Sequence, residues 1–284
     1  MLRRLEILFV DATDTLLRVH GSVGHLYATA ARHHGFVTTP EIIDAAFREA
    51  IATASPPCFP GADPAAIGAL ERAWWRDVVG RTFAPLGRFE RIEPFFDEVF
   101  EMFRTTAAWD LLPGARQALE ALRAAGWRLG IVSDMDGRLV DVLAELGMRE
   151  WFDPIVLSTR AGASKRDGAL FPLALAAAEV AAERAAHIGD SLAADVAGAR
   201  AAGITPIWLD VRGDSAAPID VPTVRHWRDV PALLHDLERS PGRRRAPRAV
   251  SRDGGSSRRR TPRAPSTSSP AGTSRTRRDP RLPR

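Results

Sequence analysis

Four apolar residues, Ile7-Leu8-Phe9-Val10, run without a break and stop at Asp11. The run is far too short to cross a membrane. It also lacks the alternation of a strand with one wet face, so it predicts a strand buried on both sides in a parallel sheet. Parallel strands need long crossover connections, usually helices. Ligands of such sheets gather outside the carboxyl ends of the strands. Asp11 is therefore a candidate for chemistry, with the capping of a turn as its plainer reading.

The rest of the chain repeats this alternation. Residues 127–132, 154–157, 185–188 and 204–209 read as strands, and 223–227 as a last one. Helices are expected over 112–125, 136–146, 168–180, 193–202 and 230–237, several of them stopped by glycine. The pattern predicts an α/β fold, a doubly wound parallel sheet with helices on both faces. Between residues 22 and 104 there is no strand pattern. Helix starts at Thr39-Pro40-Glu41, Asp63-Pro64 and Glu93-Pro94 follow a helix over 25–34. This predicts a four-helix insertion after the first strand, hinged at 18–21 and covering that strand's carboxyl end. The expected division is a core of residues 1–19 and 106–239, a helical insertion of 20–105 and a tail of 240–284.

Charge separates the tail from the body. From Pro241 onward there are 14 arginines against Asp253 and Asp279, whereas the whole chain is only +4. The preceding residues therefore carry a net −8, which argues against nucleic acid as a partner of the folded body. The tail has too few apolar residues to form a core and is expected to be disordered. It is a polyanion-binding arm, a solvating tail, or a stretch read in a shifted frame. One cysteine, Cys58, excludes an internal disulfide and fits a reducing compartment. No stretch approaches the length of a membrane span, and a soluble, cytoplasmic protein is expected. The sequence leaves oligomeric state open.

Three further strand ends carry polar groups. Ile131-Val132-Ser133 ends in a hydroxyl, Gly162-Ala163-Ser164-Lys165 follows the short strand at 154, and His187-Ile188-Gly189-Asp190-Ser191 leads to Asp195. Lys165 is the only lysine in the chain. In a parallel sheet these ends open to one side, placing Asp11, Ser133, Lys165 and Asp190 around one cleft. The plain alternatives are a turn hydroxyl, a solvated loop charge and a helix-surface carboxylate.

This ordered set resembles the haloacid dehalogenase superfamily over residues 5 to 238, with the helical insertion similar to that family's C1 cap. Asp11-Ala12-Thr13-Asp14-Thr15-Leu16 and the following Val23-Gly24-His25-Leu26-Tyr27 look like the subgroup named for haloacid dehalogenase-like hydrolase domain-containing protein 3. The resemblance implies a Mg²⁺-dependent hydrolase of small phosphorylated metabolites. Asp11 would be the nucleophile, forming an aspartyl-phosphate. Asp11, the Thr13 carbonyl and Asp190 would hold the metal, with Asp195 at or just behind that shell. Ser133 and Lys165 would bind the phosphoryl group.

The chain departs from the family pattern at two places. Most of these phosphatases read Asp-x-Asp-Gly-Thr, and the second Asp is the general acid. Here Thr13 stands at that position and Asp14 follows it. Either Asp14 or an insertion residue supplies the proton, or the enzyme is slow or prefers activated leaving groups. The second departure, Lys165-Arg166-Asp167 in place of Lys-Pro-Asp, is expected to alter the loop and keep the charge. A non-catalytic binder of phosphate and Mg²⁺ is the main alternative. A 2-haloacid dehalogenase fits less well, because those enzymes usually carry tyrosine at the position of Thr13 and lack the aspartate that Asp190 supplies. Among insertion residues, His25, Arg72, Trp74, Trp75 and Arg76 are available for substrate selection.

Overall fold

The computed structural model describes residues 5–213 and 220–239. The expected disordered tail lies outside the described residues. Strand β1 (Ile7–Val10) leads through a tight loop to β2 (Leu17–Val19). Helices α1 (Val23–His33), α2 (Pro40–Thr53), α3 (Ile67–Phe83) and α4 (Ile92–Met102) follow, then β3 (Trp109–Leu111). Next come α5 (Ala115–Ala124), β4 (Arg128–Ser133), α6 (Arg138–Glu145), β5 (Ile155–Leu157) and the single turn α7 (Ser158–Ala161). The remainder is α8 (Leu170–Ala178), β6 (Ala185–Gly189), α9 (Ala197–Ala201), β7 (Thr205–Leu209), β8 (Thr223–Val224) and α10 (Val230–Arg239).

Six strands form one parallel sheet in the order β5-β4-β1-β6-β7-β8. The chain leaves β1 to build one half, through β4 and β5, then returns beside β1 to build the other. That reversal creates a crevice at the carboxyl end of β1. All four β1 residues are buried, as the unbroken apolar run predicts. Their side chains alternate between faces. Leu8 and Val10 join a core with Leu119, Leu143 and Leu234 of α5, α6 and α10. Ile7 and Phe9 join another with Phe171 and Ala174 of α8 and Ala199 of α9. This is the doubly wound arrangement read from the sequence.

Helices α1 to α4 pack on an aromatic core of their own, with Tyr27, Phe83, Phe89 and Phe95 at its centre. Threonine and proline start α2 as expected, with Thr39 at the N-cap and Pro40 in the first turn. Among the described residues no helix is long and apolar enough to cross a membrane.

The structure departs from the sequence reading in several places, among them the helix expected over 193–202, which opens as a π-type turn (Leu192–Val196) before α9. The stretch expected as a hinge begins as strand β2, paired antiparallel with β3. Three-residue strands carry no readable alternation, and the partner lies some ninety positions away. The expected final strand shortens to β8, because Trp227 begins a helical turn and its Nε1 donates to the Thr15 carbonyl at 2.7 Å. Helix α8 starts at Leu170 rather than 168, since Gly168 has φ +75° and belongs to the Lys165 loop. The turn α7 was not legible in the sequence at all.

Candidate active site

The first element of the site is the loop after β1. The Ala12 carbonyl accepts from the amides of both Leu16 and Leu17, at 2.9 and 2.8 Å, and Asp14 N donates to Leu17 O at 2.7 Å. Closing so tight a loop puts Asp14 at φ +60°, a conformation that aspartate tolerates better than most residues. Trp227 pins the loop from behind through Thr15. The result presents Asp11, Thr13 and Asp14 to one cavity.

The second element is the loop after α7. Asp167 folds back so that its Oδ2 accepts from the amide and the hydroxyl of Ser164, both at 3.1 Å. The amide of Lys165 donates to Asp134 Oδ1 at 3.1 Å. Held this way, Lys165 is only 4% exposed. Its Nζ lies 2.5 Å from Asp11 Oδ1 and 2.6 Å from Asp195 Oδ1.

The third element follows β6. A wide π-type turn, Leu192–Val196, brings Asp195 back over the strand end. Its Oδ1 also meets His187 Nε2 at 2.8 Å, and its Oδ2 accepts from Ser191 N at 3.0 Å. The close approach requires glycine at 189, where a Cβ would lie 2.2 Å from Asp195 Cγ. Gly189→Ala is therefore expected to displace Asp195, loosen Lys165, and lower both the melting temperature and any turnover. Comparing thermal unfolding and activity of that variant with the parent checks this; no change in either would contradict it.

Ligand atoms of Asp11, Asp190 and Asp195 all lie within 4.8 Å of one another. The structure thus brings together the strand-end carboxylates expected to meet. Ser133 is buried beside them, its Oγ accepting from Met135 N at 3.3 Å, and lines the same cavity. Thr13 and Asp14 line it too.

Crowding and burial shift the protonation of these carboxylates. Burial pushes Asp190 up to about 7, with help from Asp11, Asp195 and Asp14. Burial also raises Asp11, against the pull of Lys165. Asp195 goes the other way: burial would raise it, but Lys165 and His187 together hold it well below the usual carboxylate range. Lys165 stays firmly protonated, since Asp11 and Asp195 outweigh its own burial.

The cavity measures about 780 Å³, bounded on one side by the strand ends and on the other by the helical insertion. Of the insertion residues singled out in the sequence, Trp74 and Trp75 line it. Arg72 instead pairs with Asp97 and stacks on Phe96 and Phe100, Arg76 pairs with Glu93, and His25 is exposed outside the wall. Sequence reasoning gave no role to His187, Thr15 or Asp134. The Thr15 hydroxyl sits 3.4 Å from Asp190 Oδ1, and Asp134 orders the Lys165 loop. For Asp134 and Thr15 the available signal was a place in the loop after a strand; His187, in the middle of β6, gave none. Sequence reasoning also missed a buried group joining insertion to core: Glu71 accepts from Gly137 N and Thr159 Oγ1, and Trp75 donates to Asp136.

Comparison with known proteins matches this architecture. A family profile for haloacid dehalogenase-like hydrolases fits residues 5–203. The chain is 35% identical to human haloacid dehalogenase-like hydrolase domain-containing protein 3, over 84% of this chain and 95% of that one. It is 30% identical to the phosphoserine phosphatase of Thermus thermophilus, over 72% and 89%. Among solved structures, the L-2-haloacid dehalogenase of Xanthobacter autotrophicus superposes with a TM-score of 0.62 at 17% identity, covering 82% of this chain and 99% of that one. At that identity the likeness speaks for the fold alone. With the strand order, the four strand-end groups and these matches together, the chain belongs to the haloacid dehalogenase-like hydrolase family.

Proposed function

We propose that this protein hydrolyses small phosphate esters or anhydrides with Mg²⁺, through a phosphorylated Asp11. The observation that carries this reading is the buried contact between Asp11 and Lys165 at the switch point of the sheet, with two further carboxylates within 4.8 Å. Kinship with a phosphoserine phosphatase supports phosphate chemistry.

The donor set suits a hard divalent cation. Three carboxylates converge, and one is pushed up to about 7 by burial and its neighbours, a strain that a cation would relieve. Asp11, the Thr13 carbonyl and Asp190 would hold it. Asp195 stands behind, because its oxygens already accept from Lys165, His187 and Ser191. A bound Mg²⁺ supplies neutralisation of charge on the phosphoryl oxygens.

The chain's own groups do the rest. Lys165 holds Oδ1 of Asp11 and leaves the second oxygen to attack phosphorus, while the bond from phosphorus to the leaving oxygen breaks. Lys165 and Ser133 donate to the phosphoryl oxygens. Water then attacks the aspartyl-phosphate, releasing phosphate and restoring Asp11. Asp14 is the proposed acid and base: it is exposed to the cavity and its carboxylate has no partner among the described residues. The hydroxyl of Thr13 is too weak an acid for that part. Helices α1 to α4 act as the cap that selects the ester.

p-Nitrophenyl phosphate, assayed with Mg²⁺ and with EDTA, tests the reading. Hydrolysis that EDTA stops supports it. Phosphate binding without turnover points to a non-catalytic binder. Chloride release from 2-chloropropionate, indifferent to EDTA, points to a dehalogenase. Asp14→Asn should slow alkyl phosphates by about 10²-fold or more, the usual worth of a positioned acid, and slow aryl phosphates less. With Asp14 filling that role, Thr13→Asp should leave alkyl and aryl turnover equal or lower; a rise confined to alkyl phosphates would show that the parent lacks an adequate proton source.

A further inference from the structure

Away from the strand-end carboxylates, Tyr27 and Arg138 line the cavity beside the rings of Trp75, Phe96 and Phe100. Tyr27, in α1, is 3% exposed and lines the cavity, yet its hydroxyl has no hydrogen-bond partner among the described residues. The ring itself is fixed, meeting Phe95 edge-on at 5.6 Å and Phe103 at 6.0 Å. Arg138, at the start of α6, is 7% exposed and lines the same cavity. Its Nε and Nη2 donate to Asp136 at 3.0 and 2.6 Å, and its Nη1 donates to the Phe100 carbonyl at 3.3 Å. The guanidinium carbon lies 4.3 Å from the Phe100 ring centre and 5.0 Å from that of Trp75. A guanidinium carries five N–H groups. Three are used here, and the others have no acceptor among the described residues.

Neither group is sealed within the protein, so an acceptor for these donors comes from within the cavity. The geometry points to a second recognition site in this cavity, where the Tyr27 hydroxyl and the spare N–H groups of Arg138 donate to an uncharged oxygen acceptor on an apolar or aromatic leaving group. For what sits at the phosphoryl end, this rests on the phosphate-ester reading above.

Charge decides in favour of a neutral acceptor. Arg138 is already matched by Asp136, whose carboxyl, despite its burial, Arg138 holds below the usual range. Asp44 and Asp134 line the cavity as well. A second carboxylate on the ligand would find no net positive charge at this wall. Arg18, Arg48 and Arg212 also line the cavity but are exposed, where an ion pair is worth little. Burial raises the Tyr27 phenol, which keeps its proton and acts as a donor. Around the pair, Trp75, Phe96 and Phe100 offer ring surface to an apolar body.

The test compares KM for phenyl, 4-acetylphenyl and 4-carboxyphenyl phosphate in the parent protein and in Tyr27→Phe. The parent should bind the acetyl ester roughly 2- to 10-fold more tightly than the phenyl ester, the range of one neutral hydrogen bond. In Tyr27→Phe that ratio should fall to near one, whatever happens to the rate. Equal ratios in both proteins, or a preference for the carboxyl ester, would overturn the subsite and leave the phosphatase reading standing. If none of the three esters is hydrolysed, binding of benzylphosphonate and 4-acetylbenzylphosphonate to Asp11→Asn decides. A preference for the acetyl compound that Tyr27→Phe removes would keep the subsite while the phosphatase reading fails. No preference would remove both.

Discussion

Asp11→Asn is expected to lower turnover of p-nitrophenyl phosphate by about 10⁴- to 10⁶-fold, the scale seen when a nucleophile is removed from an intact site. Asparagine keeps the shape and cannot form the phosphoryl intermediate. Structural damage should be slight. Asp11 is one of three carboxylates within 4.8 Å, so removing its charge relieves repulsion as well as costing Lys165 a partner. Asp195 still holds the ammonium at 2.6 Å. The thermal midpoint should stay close to that of the parent, and kinetics with circular dichroism melts will separate the two effects. Activity within tenfold of the parent would show that another group attacks phosphorus.

Lys165→Met should destabilise the fold strongly. Methionine matches the length of the chain and removes the charge. Two buried carboxylates, Asp11 and Asp195, then lose the cation that both touch. Breaking a buried ion pair from one side costs about 3–5 kcal/mol. For a body of this size each kcal/mol shifts the midpoint by about 2–4 °C, so a fall of roughly 6–20 °C is expected, together with loss of turnover. Asp195→Asn in the same background should recover part of the stability and none of the activity. A midpoint within ~2 °C of the parent would show that the ammonium does not hold these loops together.

The lysine illustrates how function was legible. In a chain that otherwise uses arginine for positive charge, a lone lysine after a short strand stood out. A compact ammonium fits between Asp11 and Asp195 where a broad guanidinium would not. The glycine before Asp190 was legible as a motif, but its reason was not. It is the Asp195 carboxylate lying against the backbone, made possible by a π-type turn that no propensity predicts. His187 read as an ordinary strand residue. Only folding shows that it faces Asp195 from within the sheet, with Phe171 against its ring at 4.9 Å.

By itself the sequence determined the parallel sheet, its flanking helices and the strand-end groups, because these follow from local apolar runs, glycine stops and strand length. What tertiary structure alone decided is every contact that spans long stretches of chain. Lys165 reaches Asp11 across 154 positions, Trp227 reaches Thr15 across 212, and β2 finds β3 through the whole helical insertion. The cavity wall of Tyr27, Trp75 and Arg138 comes from three separate segments. Local sequence specifies which backbone each segment prefers, whereas the side chains that meet are selected by packing between segments.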